Sequence, residues 1–278
     1  MRLVYLRCGT DLPTGGETLT LSPIPTRAEL KALDAIAAEV LPVDPTPSLA
    51  EIAQQPDVAH LGAPQLAPQP LPHPLRAVVL GDDAALSAVL SRLMRADTMW
   101  VEVAYCPLDA DSAVAKQWGI ADLTPQEALD FARTAPVQPA PLVRDDAGIA
   151  VAGLASVTDW DNKEITAEAI VDDSVLLRHQ SGRRTPTRGV FGARLVPMLE
   201  APGLAAVALD TPLDEPRRGF FGRSRPFGTA DASSLRTGRA LQAGGENLRV
   251  IVDGVSRKRP VDRVTFYRHL RDLQAVRL

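Results

Sequence analysis

The stretch "VVLGDDAALSAVL", residues 78–90, decides how the rest of the chain is read. Val78, Val79 and Leu80 run like the end of a buried strand, Gly81 makes a turn, and Leu86, Val89 and Leu90 recur at helical spacing. The order strand, tight turn, helix is that of turns that cradle phosphate, where several glycines bring backbone N–H groups close to phosphate oxygens. Asp82, Asp83, Ala84 and Ala85 stand in the place of such glycines. An added Cβ obstructs the close backbone approach, and an added carboxylate repels a phosphate. The same two aspartates suit a helix start, each contributing about 0.5 kcal/mol through the backbone dipole.

Outward from this turn, the pattern is an α/β layer followed by a β layer. A strand at 76–80 leads into a helix at 83–95, and "MWVEVAYC" at 99–106 reads as the next strand. A helix over about 111–118 follows, then "TPQEALDFARTA", with Thr124 as N-cap, Pro125 at the first helical position and Glu127 completing a capping box. Upstream, residues 27–41 carry apolar residues at 30, 33, 36, 37, 40 and 41, the period of an amphipathic helix with Thr26 as its N-cap. A short helix is expected around "SLAEIAQ". Nine prolines lie between Pro42 and Pro74, so 56–75 reads as an extended linker.

Past Pro136 short β-branched runs are separated by Gly, Pro, Asp and Asn, the pattern of an antiparallel β domain. The expected fold class is therefore α/β plus β. Residues 1–136 form an α/β domain with a parallel-type sheet, and residues 137–278 form a mainly antiparallel β domain.

Composition narrows the function. Only Cys8 and Cys106 are present, in no ligand spacing, and His60, His73, His179 and His269 show no metal-binding pattern. No stretch approaches the roughly 18 apolar residues needed to span a bilayer, so a cytoplasmic protein is expected, with peripheral membrane contact open to it. Residues 178–278 hold 19 Lys and Arg against 9 Asp and Glu, and residues 1–177 hold 11 against 25. That asymmetry predicts one basic surface, yet no nucleic-acid motif accompanies it. Within the basic half, "RRGFFGRSRPFG" sets Phe220 and Phe221 among Arg217, Arg218, Arg223 and Arg225, a loop suited to an anionic membrane surface or a protein partner. The alternative places both rings inside the β domain.

The run "RAVVLGDDAALSAVLSRLM" resembles the glycine-rich segment of the diacylglycerol kinase catalytic domain and its NAD kinase-like relatives, where a strand leads into Gly-Gly-Asp-Gly-Thr-Leu-Asn. A second segment, "PLDADSAVAKQWGI" at 107–120, resembles the family's Pro-Leu-Gly-Thr-Gly-Asn-Asp-Phe-Ala-Arg-x-Leu-Gly-Ile, keeping Pro107, Leu108, Ala115, Gly119 and Ile120, with Lys116 for the Arg. Later, "LRVIVDGVSRKRP" is similar to the strand that ends in Asp-Gly-Glu. Order and spacing agree over residues 76–260, while the first 75 residues match poorly.

The resemblance implies ATP and Mg²⁺ as cofactors and a lipid hydroxyl as acceptor. It also implies a nucleotide site at Gly81, Asp82, Asp83, Asp109, Asp111 and Ser112, with Asp83 near the metal and Asp253 as the base. Departures fall on the reactive positions. Asp82 and Ala84 replace glycines, Ala85 the Thr and Ser87 the Asn; Asp109, Ala110 and Asp111 replace Gly-Thr-Gly; Ser112 and Ala113 replace Asn-Asp; Val255 replaces the Glu. Phosphoryl transfer depends on positioning and charge neutralisation, which the glycine loops supply. The expectation is a diacylglycerol kinase-like protein impaired in catalysis, a pseudoenzyme acting by ligand or partner binding. The alternatives are an active ATP-dependent lipid kinase with a rearranged phosphate site, and an interaction module using the basic β domain.

Overall fold

The computed structural model describes residues 1–42, 62–67, 73–182, 186, 188–213 and 227–278. The helix expected around "SLAEIAQ", most of the proline-rich linker, His60 and the loop carrying Arg217, Arg218, Phe220, Phe221, Arg223 and Arg225 lie outside the described residues.

The first layer is a five-stranded parallel sheet. β1 (Arg2–Cys8), β2 (Glu17–Leu21), β3 (Leu75–Gly81), β4 (Glu102–Pro107) and the final strand, β16 (Gln274–Val276), take the order β16-β4-β3-β1-β2. β3 is central and buried along its whole length, which is why "LRAVVLG" shows no alternation of apolar and polar residues. One face is covered by α1 (Lys31–Val40) and α2 (Asp83–Arg95), which share a core with Val4, Leu6 and Val79. On the other face α4 (Pro125–Thr134) buries Ala128, Leu129 and Ala132 against Val78, Leu80 and Ala104. The short α3 (Ala113–Gln117) closes the loop after β4.

The second layer is an eleven-stranded antiparallel sheet comprising β5 (Val143–Asp145), β6 (Ala150–Val151), β7 (Ala155–Asp159), β8 (Thr166–Val171), β9 (Ser174–His179), β10 (Gly192–Pro197), β11 (Leu204–Leu209), β12 (Ala230–Gly238), β13 (Ala240–Val252), β14 (Val255–Ser256) and β15 (Val261–Arg268). β8 buries every second residue, as a strand with one face in the core must. The long β13 pairs β7 with one half and β8 with the other, with β15 along its opposite edge. The fold is α/β plus β, with a parallel sheet first and an antiparallel sheet after it.

The start of the first helix and the course of the last strand differ from the sequence reading, and β4 begins at Glu102 rather than at residue 99. Residues 27–30 form a hydrogen-bonded turn, and the α-helix begins at Lys31. Thr26 caps that turn with Glu29, whose carboxylate also binds Ser22, so the cap ties the approach to α1 rather than α1 itself. The chain after β15 returns to the first sheet as β16, and the described part of the linker is strapped to it. Arg268 Nη1 donates to the Gly62 carbonyl at 2.8 Å, and the Asp272 carboxylate accepts from Gln65 N at 2.9 Å.

Candidate functional site

β3 delivers the turn. Gly81 is required there by space, because a Cβ would stand 2.8 Å from Ala85 Cβ and 3.0 Å from Cys8 Cβ. Asp82 is exposed and extended, and its Oδ1 accepts from Ala85 N at 2.8 Å, the N-cap bond of α2.

Asp83 faces the other way, across to the loop after β4. Its Oδ1 accepts from the Ser112 hydroxyl and lies 3.0 Å from the Tyr105 hydroxyl. Its Oδ2 accepts from Ala113 N at 2.8 Å and Val114 N at 3.3 Å. Ser112 Oγ in turn accepts from Ala115 N at 2.9 Å. The first three N–H groups of α3 are thus satisfied by the protein itself, the task that a bound anion performs at an open helix start. Tyr105 is buried, and burial together with the Asp83 charge raises its pKa, so it stays a neutral donor.

Asp109 and Asp111 serve their own loop. Asp109 Oδ1 accepts from Asp111 N at 2.9 Å, and Asp111 makes an exposed ion pair with Lys116 at 3.2 Å. Neither satisfies the first N–H groups of α3; Asp83 and Ser112 do.

Asp253 occupies the two-residue turn between β13 and β14. Its φ is +46° and that of Gly254 +81°, the left-handed pair that an Asp-Gly hairpin adopts. The carboxylate turns inward and accepts from Ala152 N, Gly153 N and Leu154 N, each at 2.8 Å. Burial, with a contribution from the Asp83 charge, pushes Asp253 up to about 7 against the pull of those three N–H groups. Gly153 joins the two halves of the site: a Cβ there would lie 3.0 Å from Ala113 Cβ and Val114 N, and its carbonyl accepts from Gln117 Nε2 at 2.7 Å. Gly81, Asp83, Ser112 and Asp253 therefore converge on the start of α3, with Asp82, Asp109 and Asp111 on its exposed side. Among the described residues no three His, Cys, Asp or Glu side chains group as a metal site would need.

Beside this closed turn lies an open cleft of about 270 Å³ along the flank of α2. Ala84, Ser87, Ala88, Ser91, Arg92 and Arg95, one helical face, form one wall, and Ile149, Val252 and Val255 of the β layer stand opposite. Both serine hydroxyls bind the β layer. Ser87 Oγ donates to the Ala150 carbonyl at 2.7 Å, and Ser91 Oγ accepts from Ala150 N at 2.8 Å, pinning α2 to β6. The sequence reading missed this cleft, although a helix face built from Ala and Ser where Leu would fill the space was its visible signal.

No protein-family model and no curated protein matches the sequence. Solved structures do match. A diacylglycerol kinase from Bacillus anthracis str. Sterne superposes with a TM-score of 0.55 at 9% identity, covering 98% of this chain and 96% of that one. An NAD kinase from Archaeoglobus fulgidus, solved in complex with ATP, gives a TM-score of 0.46 at 13% identity over 98% and 92%. No described helix is long and apolar enough to cross a membrane. Over nearly its whole length, at an identity that speaks for architecture alone, this chain has the fold of a diacylglycerol kinase.

Proposed function

We propose that this is a diacylglycerol kinase-like protein that has given up phosphoryl transfer and acts by binding a ligand or partner. The observation that carries the reading is the saturation of Asp83, whose two carboxylate oxygens are approached by the hydroxyls of Tyr105 and Ser112 and the amides of Ala113 and Val114. A metal at Asp83 would have to displace several charge-assisted hydrogen bonds, each about 1.5–3 kcal/mol, and leave amides of α3 without partners. Asp253 is similarly occupied by three amides. ATP and Mg²⁺ are the cofactors this site would need, with Asp83 as the residue to hold the metal and Asp253 as the base. In the present reading both carboxylates have become structural acceptors.

The test is transfer of labelled phosphate from ATP–Mg²⁺ to diacylglycerol in mixed micelles. The expected result is no transfer above the protein-free rate. Transfer that disappears in Asp253→Asn would overturn the proposal in favour of a working lipid kinase.

A further inference from the structure

We infer that the cleft along α2 binds a single-chain amphiphile with a singly charged anionic head, a carboxylate on an unbranched apolar tail. The inference builds on the reading of a binding protein and names its ligand class.

Size is the first argument. Ligand sites for small molecules span roughly 300–1,000 Å³, so a cleft of about 270 Å³ suits a small, narrow ligand. Polarity along the cleft is the second. Ala84 and Ala88 sit at the N-terminal end of the α2 face, and Arg92 and Arg95 sit at the C-terminal end. Eleven residues of helix separate Ala84 from Arg95, or about 16 Å at the helical rise. One end is therefore apolar and the other cationic. Its rim is apolar too: Ile24 on one lip is 45% exposed and Val255 on the other 47%.

Charge is the third argument and sets the valence of the head. Arg92 pairs with Asp34, and Arg257 pairs with both Asp145 and Asp146. Arg95 reaches the same turn, its Nη2 donating to the Ala147 carbonyl at 2.9 Å. Among the described residues neither Arg95 nor Arg27 has a carboxylate partner. Four arginines against Asp34, Asp145 and Asp146 leave a surplus of one positive charge, which a monoanion neutralises and a dianion exceeds. Guanidinium groups also offer the paired donors that a carboxylate accepts.

The experiment is titration calorimetry of the full chain with sodium laurate and dodecyl phosphate below their micelle concentrations and dodecanol below its solubility limit. Laurate is expected to bind one to one, at least tenfold more tightly than dodecanol, and more tightly than dodecyl phosphate. Arg95→Ala should weaken laurate about tenfold and leave dodecanol unchanged. Ala88→Trp, which fills the cleft, should abolish both. Absence of saturable laurate binding, equal affinity for laurate and dodecanol, preference for the phosphate, or laurate binding that ignores Arg95→Ala would each overturn the inference. Should Ala88→Trp fail to fold, the Arg95→Ala comparison still decides. Micromolar ATP binding would instead overturn the reading beneath it, so the two failures are distinguishable.

Discussion

The start of α2 and its flank are built in opposite ways. At the turn that starts the helix, where the resemblance places a phosphate, Asp83 takes the first two amides of α3 and Asp82 caps α2. Along its flank, small side chains leave open space against the β layer, with arginines at one end. Asp83 and Ser112 close the first region, while Ala84, Ala88 and Val255 keep the second apolar. Closure of a helix start needs only a few well-placed acceptors. An open flank needs small side chains at successive positions of one helical face, here Ala84, Ser87, Ala88 and Ser91 over about two turns.

Substitutions at the closed region should rank by the number of buried amides they orphan. Asp253→Ala strands three amides and puts a Cβ-bearing residue without a local hydrogen bond at positive φ. A loss of about 3–5 kcal/mol is expected in urea unfolding. Asp83→Ala strands two amides at a half-buried site, with an expected loss of about 2–3 kcal/mol. If Asp83→Ala proved neutral, the first region would not be held by its own carboxylate and the contrast would collapse.

Asp253 also sets a pH dependence. Its folded pKa, about 7, lies above the ordinary aspartate value of 3.8, so between those values the native protein keeps a proton that the unfolded chain has released. Stability from this group is therefore full below pH 4, falls as pH rises to about 7, and is level beyond. Urea midpoints across pH 4–8 should show that slope in the wild type and lose it in Asp253→Asn. Smaller effects should follow at the exposed side. Asp82→Ala removes one N-cap bond, about 1 kcal/mol. Asp111→Ala removes an exposed ion pair and should change stability by less than about 0.5 kcal/mol.

Much of this was legible in the sequence. The strand and helix around Gly81 were read within a residue, because a buried central strand and a capped helix carry their own signals. The capping box of Thr124 and Glu127 is present as the spacing required. β12, "ADASSLRTG", was not legible: it is an outer strand with nearly every residue exposed, so it shows no apolar alternation. β5 and β16 have three residues each, too few for a period to appear. In the site, Asp82 and Asp83 were recognised as helix-start residues. That Asp83 caps α3 instead of its own helix follows from the approach of two loops distant in sequence, which no local pattern encodes. The cleft was missed for a related reason, since empty space has no residue to announce it.

The central claim is that the turn after β3 is filled by Asp83 and has no place for a nucleotide phosphate. Calorimetric titration with ATP and Mg²⁺ tests it most directly. The account predicts no saturable heat up to millimolar ATP, and the same for a variant carrying Asp82→Gly and Ala84→Gly, because Asp83 still occupies the amides of α3. Saturable micromolar binding by the wild-type chain, lost in Asp83→Ala, would contradict it.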